Sequence, residues 1–281
     1  MNARLLDAAR RAGLPLPADP HDPAALGELA AALFLRPQRT RQPPREGQYL
    51  AAATRFSIES PAGRLAAWAW GAPEAPAVVL SHGWEGRGSQ LGAFAAPLAA
   101  AGFRAVAFDG PAHGESPGEE SSLPLLARVT AALPAALGPV HAVVGHSFGA
   151  AGAALATAEG FAPRGMVFLA PPLWQRGRIE AAAARLQLPA AAHAVFFAAV
   201  ARRSGWPLAR ADMRAVARTA RCPLLVFHDP DDADTSYAGS VELVALWPGA
   251  RLVPCPGRGH IRLLATPAVV DETVRFIAGL Q

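Results

Sequence analysis

Residues 140–156 read VHAVVGHSFGAAGAALA. An apolar run over 140–144 stops at Gly145-His146-Ser147-Phe148-Gly149, and an alanine-rich stretch follows. A short apolar run closed by glycine reads as a buried strand, and the alanines read as a helix. G-x-S-x-G between a strand and a helix is the pattern of a sharp, strained turn that presents a serine hydroxyl above the end of a sheet. The reason is steric: the chain passes close to its surroundings two residues before and two after the serine, where glycine fits. Ala150, Ala151 and Gly152 then let the helix lie close under the sheet.

Outward from this turn, strands and helices alternate. Toward the N-terminus, 123–137 reads as a helix, 103–108 as a strand, 91–101 as a helix ending at Gly102, and 77–81 as a short apolar strand. Before them, 54–60 and 64–70 flank Pro61-Ala62-Gly63 and read as a hairpin. Toward the C-terminus come strand 166–170, then strand 224–228, helix 238–247, strand 251–254 and helix 267–280. An antiparallel start followed by repeated β-α units predicts an α/β fold: a mostly parallel sheet of about eight strands with helices on both faces.

Two regions fall outside this alternation. Residues 1–36 read as helical, with Leu5, Ala8 and Ala9 on one face and Leu26, Leu29, Leu33 and Phe34 on another. A proline-bearing connector over 36–45 follows, so 1–48 is a helical N-terminal extension. Residues 171–221 are too long for a plain connection. They carry nine arginines against Glu180 and Asp212, a net +7 in a chain whose total is +4. This interval reads as a helical insertion over one end of the sheet, leaving 49–170 and 222–281 as the core.

Composition narrows the field. The chain has 281 residues, 52% hydrophobic and 17% charged, which excludes a disordered protein. Two cysteines exclude a disulfide scaffold. Cys222 begins one predicted strand and Cys255 follows the next, so in parallel neighbours they sit at opposite ends of the sheet, about 15–20 Å apart. No run of 18 uncharged apolar residues exists, so no membrane span is predicted. All 26 cations are arginine and asparagine occurs once, at Asn2. That is a coding bias toward GC-rich codons. The arginines form no basic stripe interleaved with aromatics, so no nucleic-acid partner is expected. Arg4, Asp7, Arg10 and Arg11 interrupt any leader-like apolar run, which favours a cytoplasmic location.

Gly114-Glu115-Ser116-Pro117-Gly118 also fits G-x-S-x-G. It fails physically, because the residue after the serine must offer a backbone N–H and Pro117 has none. Ser147 is therefore the candidate nucleophile, and a serine needs a base. His260, in Gly257-Arg258-Gly259-His260 directly after the last strand, is the candidate. An orienting acid should follow strand 224–228, where Asp229, Asp231, Asp232 and Asp234 cluster. The order serine, aspartate, histidine fits this architecture.

At this point the chain resembles the α/β-hydrolase superfamily over about residues 54–281. Ser81-His82-Gly83-Trp84 resembles its His-Gly turn after an early strand. Residues 108–116, FDGPAHGES, resemble its loop after the next strand. The resemblance implies an acid three residues after the position that Asp229 holds, which points to Asp232 and leaves Asp231 and Asp229 behind it. It implies an oxyanion hole from the backbone N–H groups of Trp84 and Phe148. It also implies that 171–221 is the family's helical cap. A serine at the elbow argues against the epoxide hydrolases and haloalkane dehalogenases of the family, which carry aspartate there.

The expected activity is serine hydrolysis of carboxylic esters with small or medium acyl groups, through Ser147, His260, Asp232 and an acyl-enzyme. No cofactor and no metal are expected; the aspartate cluster lacks the alternation and glycine of a calcium loop. His82, Gly83 and His146 are expected around the substrate at the strand ends, with Trp174 and Phe196 facing it from the cap. His113 and His228 are expected near the same strand ends, and Asp109 as a loop-fixing residue. The cap arginines form a solvated face or attract an anionic substrate. Alternatives are thioester or amide hydrolysis, C–C bond hydrolysis, and a non-catalytic binding protein on the same fold.

Overall fold

The computed structural model describes residues 2–280, apart from the side chain of Gln175. Three helices come first: α1 (Ala3–Arg11), α2 (Pro23–Leu35) and α3 (Pro44–Ala51). The sheet begins with β1 (Thr54–Ser60), β2 (Gly63–Trp70) and β3 (Ala77–Ser81), followed by α4 (Ala95–Ala100), β4 (Arg104–Phe108) and α5 (Leu123–Leu137). Next are β5 (Val140–His146), α6 (Phe148–Ala156) and β6 (Gly165–Leu169), then α7 (Gln175–Arg185), α8 (Ala190–Ser204) and α9 (Met213–Thr219). The chain closes with β7 (Leu224–His228), α10 (Tyr237–Leu246), β8 (Arg251–Pro254), α11 (Gly259–Arg262) and α12 (Pro267–Ala278).

The eight strands form one sheet in the order β1-β2-β4-β3-β5-β6-β7-β8. Only β1–β2 and β2–β4 are antiparallel. From β4 to β8 every pair is parallel, as the β-α alternation predicts. Strands buried on both faces need apolar residues at every position, which explains the unbroken runs in β3, β5, β6 and β7. Alternate residues feed two cores. Val79, Val143, Phe168 and Val226 pack with α5, α6, α9 and α10. Val78, Leu80, Val144, Leu169 and Phe227 pack with α4 and α12 on the opposite face.

A third core lies away from the sheet. Leu5, Leu6, Leu26, Leu29, Ala30 and Leu35 of α1 and α2 pack with Ile179, Ala192, Phe196 and Val200 of α7 and α8. Gly27 permits this: a Cβ there would stand 2.7 Å from Val195 Cβ and 2.9 Å from the Ala192 carbonyl. The last helix of the 171–221 interval goes elsewhere, since Met213, Val216 and Ala217 of α9 join the core under the sheet.

Three local differences from the sequence reading have physical causes. The helix over 1–36 breaks at 12–22, where Gly13 takes φ +67° and Pro15, Pro17 and Pro20 remove donors. α2 restarts on an Asp22 cap, whose carboxylate accepts from the N–H groups of Ala24 and Ala25. Part of the expected connector is α3, whose Tyr49 lies against Gly92. The helix over 91–101 begins as a 3₁₀ turn over Gly88–Phe94 and becomes α-helical only at α4. Among the described residues, no helix is long and apolar enough to cross a membrane.

Candidate active site

The turn after β5 places Ser147 at φ +48°, ψ −113°, a backbone conformation that L-residues rarely adopt. Such strain persists only where surroundings impose it. Here the Ser147 N–H donates to the Leu169 carbonyl at 2.9 Å, and its carbonyl accepts from Ala151 at 3.1 Å. A Cβ at Gly145 would meet Ala150 Cα at 2.6 Å, and one at Gly149 would meet the His82 carbonyl at 2.6 Å. Both glycines are thus required by close approach, and the elbow sits against the end of β3.

The loop after β3 supplies the next wall. A Cβ on Gly83 would lie 2.7 Å from His146 Nδ1 and 3.4 Å from Ser147 Cβ. The rings of Trp84 and Phe148 meet edge to face at 5.1 Å. Phe148 is the first residue of α6, so its N–H has no intrahelical partner. The Trp84 N–H enters no loop or turn backbone bond among the described residues.

His260 sits in α11, after Gly257 and Gly259, both at positive φ. Its Nδ1 lies 2.8 Å from Oδ2 of Asp232, whose side chain is fully buried. Of the clustered aspartates, Asp232 is the one hydrogen-bonded to His260. Asp229 is also placed with purpose: its carboxylate accepts from the N–H groups of Asp231 and Gly259, tying the acid loop to the histidine loop. Those backbone donors, Asp231 first, hold its carboxyl below the usual range. Burial pushes Asp232 up, but hydrogen bonds from His260, Asp234 and Thr235 outweigh it and leave the carboxyl below its ordinary value. Asp232 is therefore an anion at neutral pH, able to orient an imidazole and stabilise its cation. No hydrogen bond joins Ser147 to His260 among the described residues; in empty sites such bonds are often long and tighten with substrate.

Three buried histidines, His82, His113 and His146, are neutral scaffolding around the elbow. His82 donates Nδ1–H to the Gly83 carbonyl at 2.7 Å and accepts from Gly110 N–H at 2.8 Å. His146 donates Nε2–H to the His260 carbonyl at 3.1 Å, its ring 4.7 Å from that of His260. His113 donates to the Pro111 carbonyl and stacks near Trp84 and His82. Burial, above all, lowers their pKa values, to about 4 for His82 and about 3 for His113 and His146.

The second serine motif is structural. Ser116 is fully buried; its Oγ donates to the Asp109 carbonyl at 2.6 Å and accepts from Ala66 N–H at 3.0 Å. Asp109 accepts from Gly88 and Glu115 N–H groups, both at 2.7 Å, and so fixes this loop. Arg39, from the N-terminal connector, straps the loop by donating to the carbonyls of Ser116 and Gly118.

Ser147, His260, Asp232, His82, Gly83, Trp84, His146 and Phe148 thus come together, and one expected residue, Phe196, does not join them. Phe196 is fully buried in the helices' own core, edge-on to Phe34 at 6.0 Å, because α2 covers that face of α8. Its expected place against the substrate is therefore corrected to packing between α2 and α8. Trp174 is 41% exposed, with the guanidinium groups of Arg176 and Arg214 about 6 Å from its ring. The sequence reading missed Thr235, whose hydroxyl lies 3.0 Å from Asp232 Oδ2 and 3.3 Å from His260 Nδ1. Its signal was the spacing: a hydroxyl three residues after the acid returns to it across a turn.

Comparison with known proteins bears on the family and the fold. The model of a family described as "Alpha/beta hydrolase family" matches residues 78–273. Among curated proteins, none matches the sequence. Among solved structures, the chain is similar to the esterase RhEst1 from Rhodococcus sp. ECU1013, with 22% identity and a TM-score of 0.60 over 82% of this chain and 100% of that one. It is similar to a hydrolase from Pseudomonas aeruginosa PA01, with 22% identity and a TM-score of 0.63 over 80% and 98%. It is also similar to the thioesterase domain from the curacin biosynthetic pathway, with 21% identity and a TM-score of 0.58 over 80% and 99%. At such identities these likenesses bear on the fold alone. The family match runs from within β3 to within α12 and so spans the elbow, the acid loop and the late histidine: the chain belongs to the alpha/beta hydrolase family.

Proposed function

We propose that the protein is a serine hydrolase that cleaves carboxylic esters of small or medium acyl groups, with Ser147 as nucleophile, His260 as base and Asp232 as orienting acid. The observation that carries this reading is the pairing of a serine at φ +48° on the elbow with an imidazole fixed at 2.8 Å on a buried carboxylate. Ser147 Oγ attacks the ester carbonyl while His260 Nε2 takes its proton. The backbone N–H groups of Phe148 and Trp84 bind the tetrahedral oxyanion, each worth about 3–4 kcal/mol of barrier. The alcohol leaves with the proton returned by His260. Water, deprotonated in turn by His260, then releases the acid and restores Ser147. Asp232 stays ionised throughout and stabilises the imidazolium.

The test is hydrolysis of p-nitrophenyl esters of increasing acyl length by the wild type beside Ser147→Ala. Turnover that vanishes in the variant supports the reading, and the optimum acyl length measures the space beside the elbow. A folded wild type without turnover, and without labelling by a fluorophosphonate, would overturn it in favour of a binding protein. Labelling without ester turnover would redirect it to thioester, amide or C–C substrates.

A further inference from the structure

Thr235 holds both oxygens of the Asp232 carboxylate. Its backbone N–H donates to Oδ1 at 3.1 Å, and its hydroxyl stands 3.0 Å from Oδ2, the oxygen that His260 Nδ1 reaches at 2.8 Å. The Asp234 N–H is a second donor to Oδ1, at 2.7 Å. Oδ1 therefore has a backbone donor besides that of Thr235, whereas the partners of Oδ2 are His260 and the Thr235 hydroxyl. Thr235 is buried, in the loop between β7 and α10, so its hydroxyl finds its partners inside the fold.

A hydroxyl has one proton to give, and its neighbours decide where it goes. Besides Asp232 Oδ2, Thr235 Oγ1 lies 3.3 Å from the Ala170 carbonyl, from His228 Nε2 and from His260 Nδ1. His228 cannot take the proton. Its Nε2 faces the Thr235 carbonyl at 3.2 Å, and a carbonyl only accepts, so Nε2 carries a proton of its own. Burial, above all, lowers the His228 pKa, so the ring is neutral and its bare Nδ1 accepts from Ser240 Oγ at 2.6 Å. His260 Nδ1 is likewise a donor, because it faces a carboxylate. Two acceptors remain. The carboxylate is nearer than the Ala170 carbonyl and charged, which strengthens the bond. The hydroxyl therefore donates to Oδ2, and His228 Nε2–H in turn holds Thr235 through its carbonyl and hydroxyl oxygens.

We propose that Thr235 is a positioning residue for hydrolysis: its hydroxyl holds Asp232 Oδ2 against His260 Nδ1 and shares the charge of that oxygen with the imidazole. The proposal rests on the reading of Ser147, His260 and Asp232 as the reacting set. A threonine that merely satisfied its hydroxyl on the Ala170 carbonyl would leave the bond between Asp232 and His260 unchanged when the hydroxyl is removed.

The experiment compares Thr235→Val, which keeps the shape and removes the hydroxyl, with Thr235→Ser, which keeps the hydroxyl. In the Val variant kcat should fall about ten-fold, the size of one hydrogen bond to a charged group. KM should stay within about two-fold, because the loss lies in the transition state rather than in binding. The far-downfield proton of the bond between His260 and Asp232 should move further downfield, since the donor that competes for Oδ2 is gone. The Ser variant should keep most of kcat and the wild-type proton position. An unmoved proton signal in the Val variant, or an equal loss of kcat in both variants, would overturn the proposal. Should the Val variant not fold, Thr235→Ala, which removes the hydroxyl without adding an apolar group in its place, is read against Thr235→Ser by the same two criteria. The proton signal is recorded without substrate, so it judges Thr235 even where Ser147→Ala and the ester assay have overturned the parent reading.

Discussion

Oδ2 of Asp232 lies 2.8 Å from Nδ1 of His260, whereas the side chain of Asp231, one residue earlier, is exposed to solvent. The turn that separates them is set by Asp229, whose carbonyl accepts the Asp232 N–H at 3.1 Å and whose carboxylate accepts the Asp231 N–H at 3.0 Å. On the proposed mechanism, Asp232→Asn leaves the shape intact but can hold the imidazole in the wrong tautomer. Its kcat should drop by about 10⁴-fold. Asp231→Asn should stay within about two-fold of wild type, as exposed substitutions away from special contacts do. Steady-state kinetics on both variants checks this; a dead Asp231→Asn beside an active Asp232→Asn would reassign the acid.

The sequence was informative where one residue type answers one steric demand. Gly145, Ser147 and Gly149 could be read because a turn at positive φ pressed against β3 and α6 tolerates little else. The parallel pairing from β4 to β8 could be read because repeated β-α units imply a parallel sheet. The residues alone narrowed the acid to a cluster, and only the family resemblance pointed to Asp232, since the choice depends on which backbone N–H groups the Asp229 side chain captures. The partner of α8 was hidden for a different reason. An apolar helix face states that it is covered, not by what, and α2 lies some 160 residues away in the chain. His228 was legible as a strand-end residue, yet its hydrogen bonds depend on Ser240 and Thr235, which only the fold brings to it.

Ser116 should separate stability from activity. Its hydroxyl satisfies two backbone groups at a position without solvent, the Asp109 carbonyl and the Ala66 N–H. Ser116→Ala leaves both unpaired, at about 1–3 kcal/mol for each buried group. Urea unfolding should show that loss while kcat for an ester remains near wild type. An unchanged unfolding midpoint, or a folded variant without activity, would contradict the structural role.

Gly27 should report on the docking of the N-terminal helices. Alanine there gains about 1 kcal/mol of helix propensity. Its Cβ, however, meets Val195 Cβ at 2.7 Å and the Ala192 carbonyl at 2.9 Å, and backbone cannot swing aside as a side-chain tip can. Overpacking of this kind costs about 1–3 kcal/mol, so the net change should be destabilising. Limited proteolysis within 12–22 should speed up in Gly27→Ala, and Val195→Ala in the same chain should recover only part of the loss, because the Ala192 clash remains. Cleavage at the wild-type rate would mean that α2 and α8 do not hold each other in solution.

The buried imidazoles predict an acid limit to stability. In the unfolded chain a histidine titrates near about 6.5. In the fold His82 is held at about 4 and His113 and His146 at about 3, chiefly because burial opposes the charged ring. Between these values the unfolded state binds protons that the folded state excludes, so stability falls as pH falls. The contribution is intact above about pH 6.5 and shrinks through the window down to about pH 3–4; at pH 5 the loss is about 2 kcal/mol for each ring. Denaturant unfolding at a series of pH values should therefore show the free energy declining from pH 7 toward pH 5 with a limiting slope of about three protons. Replacing His113 by Asn, whose amide carries no proton to gain, should reduce that slope by about one proton in any variant that folds. A flat profile between pH 7 and pH 5 would mean that the three rings are protonated in the fold, and the neutral tautomers assigned to His82, His113 and His146 would have to be abandoned.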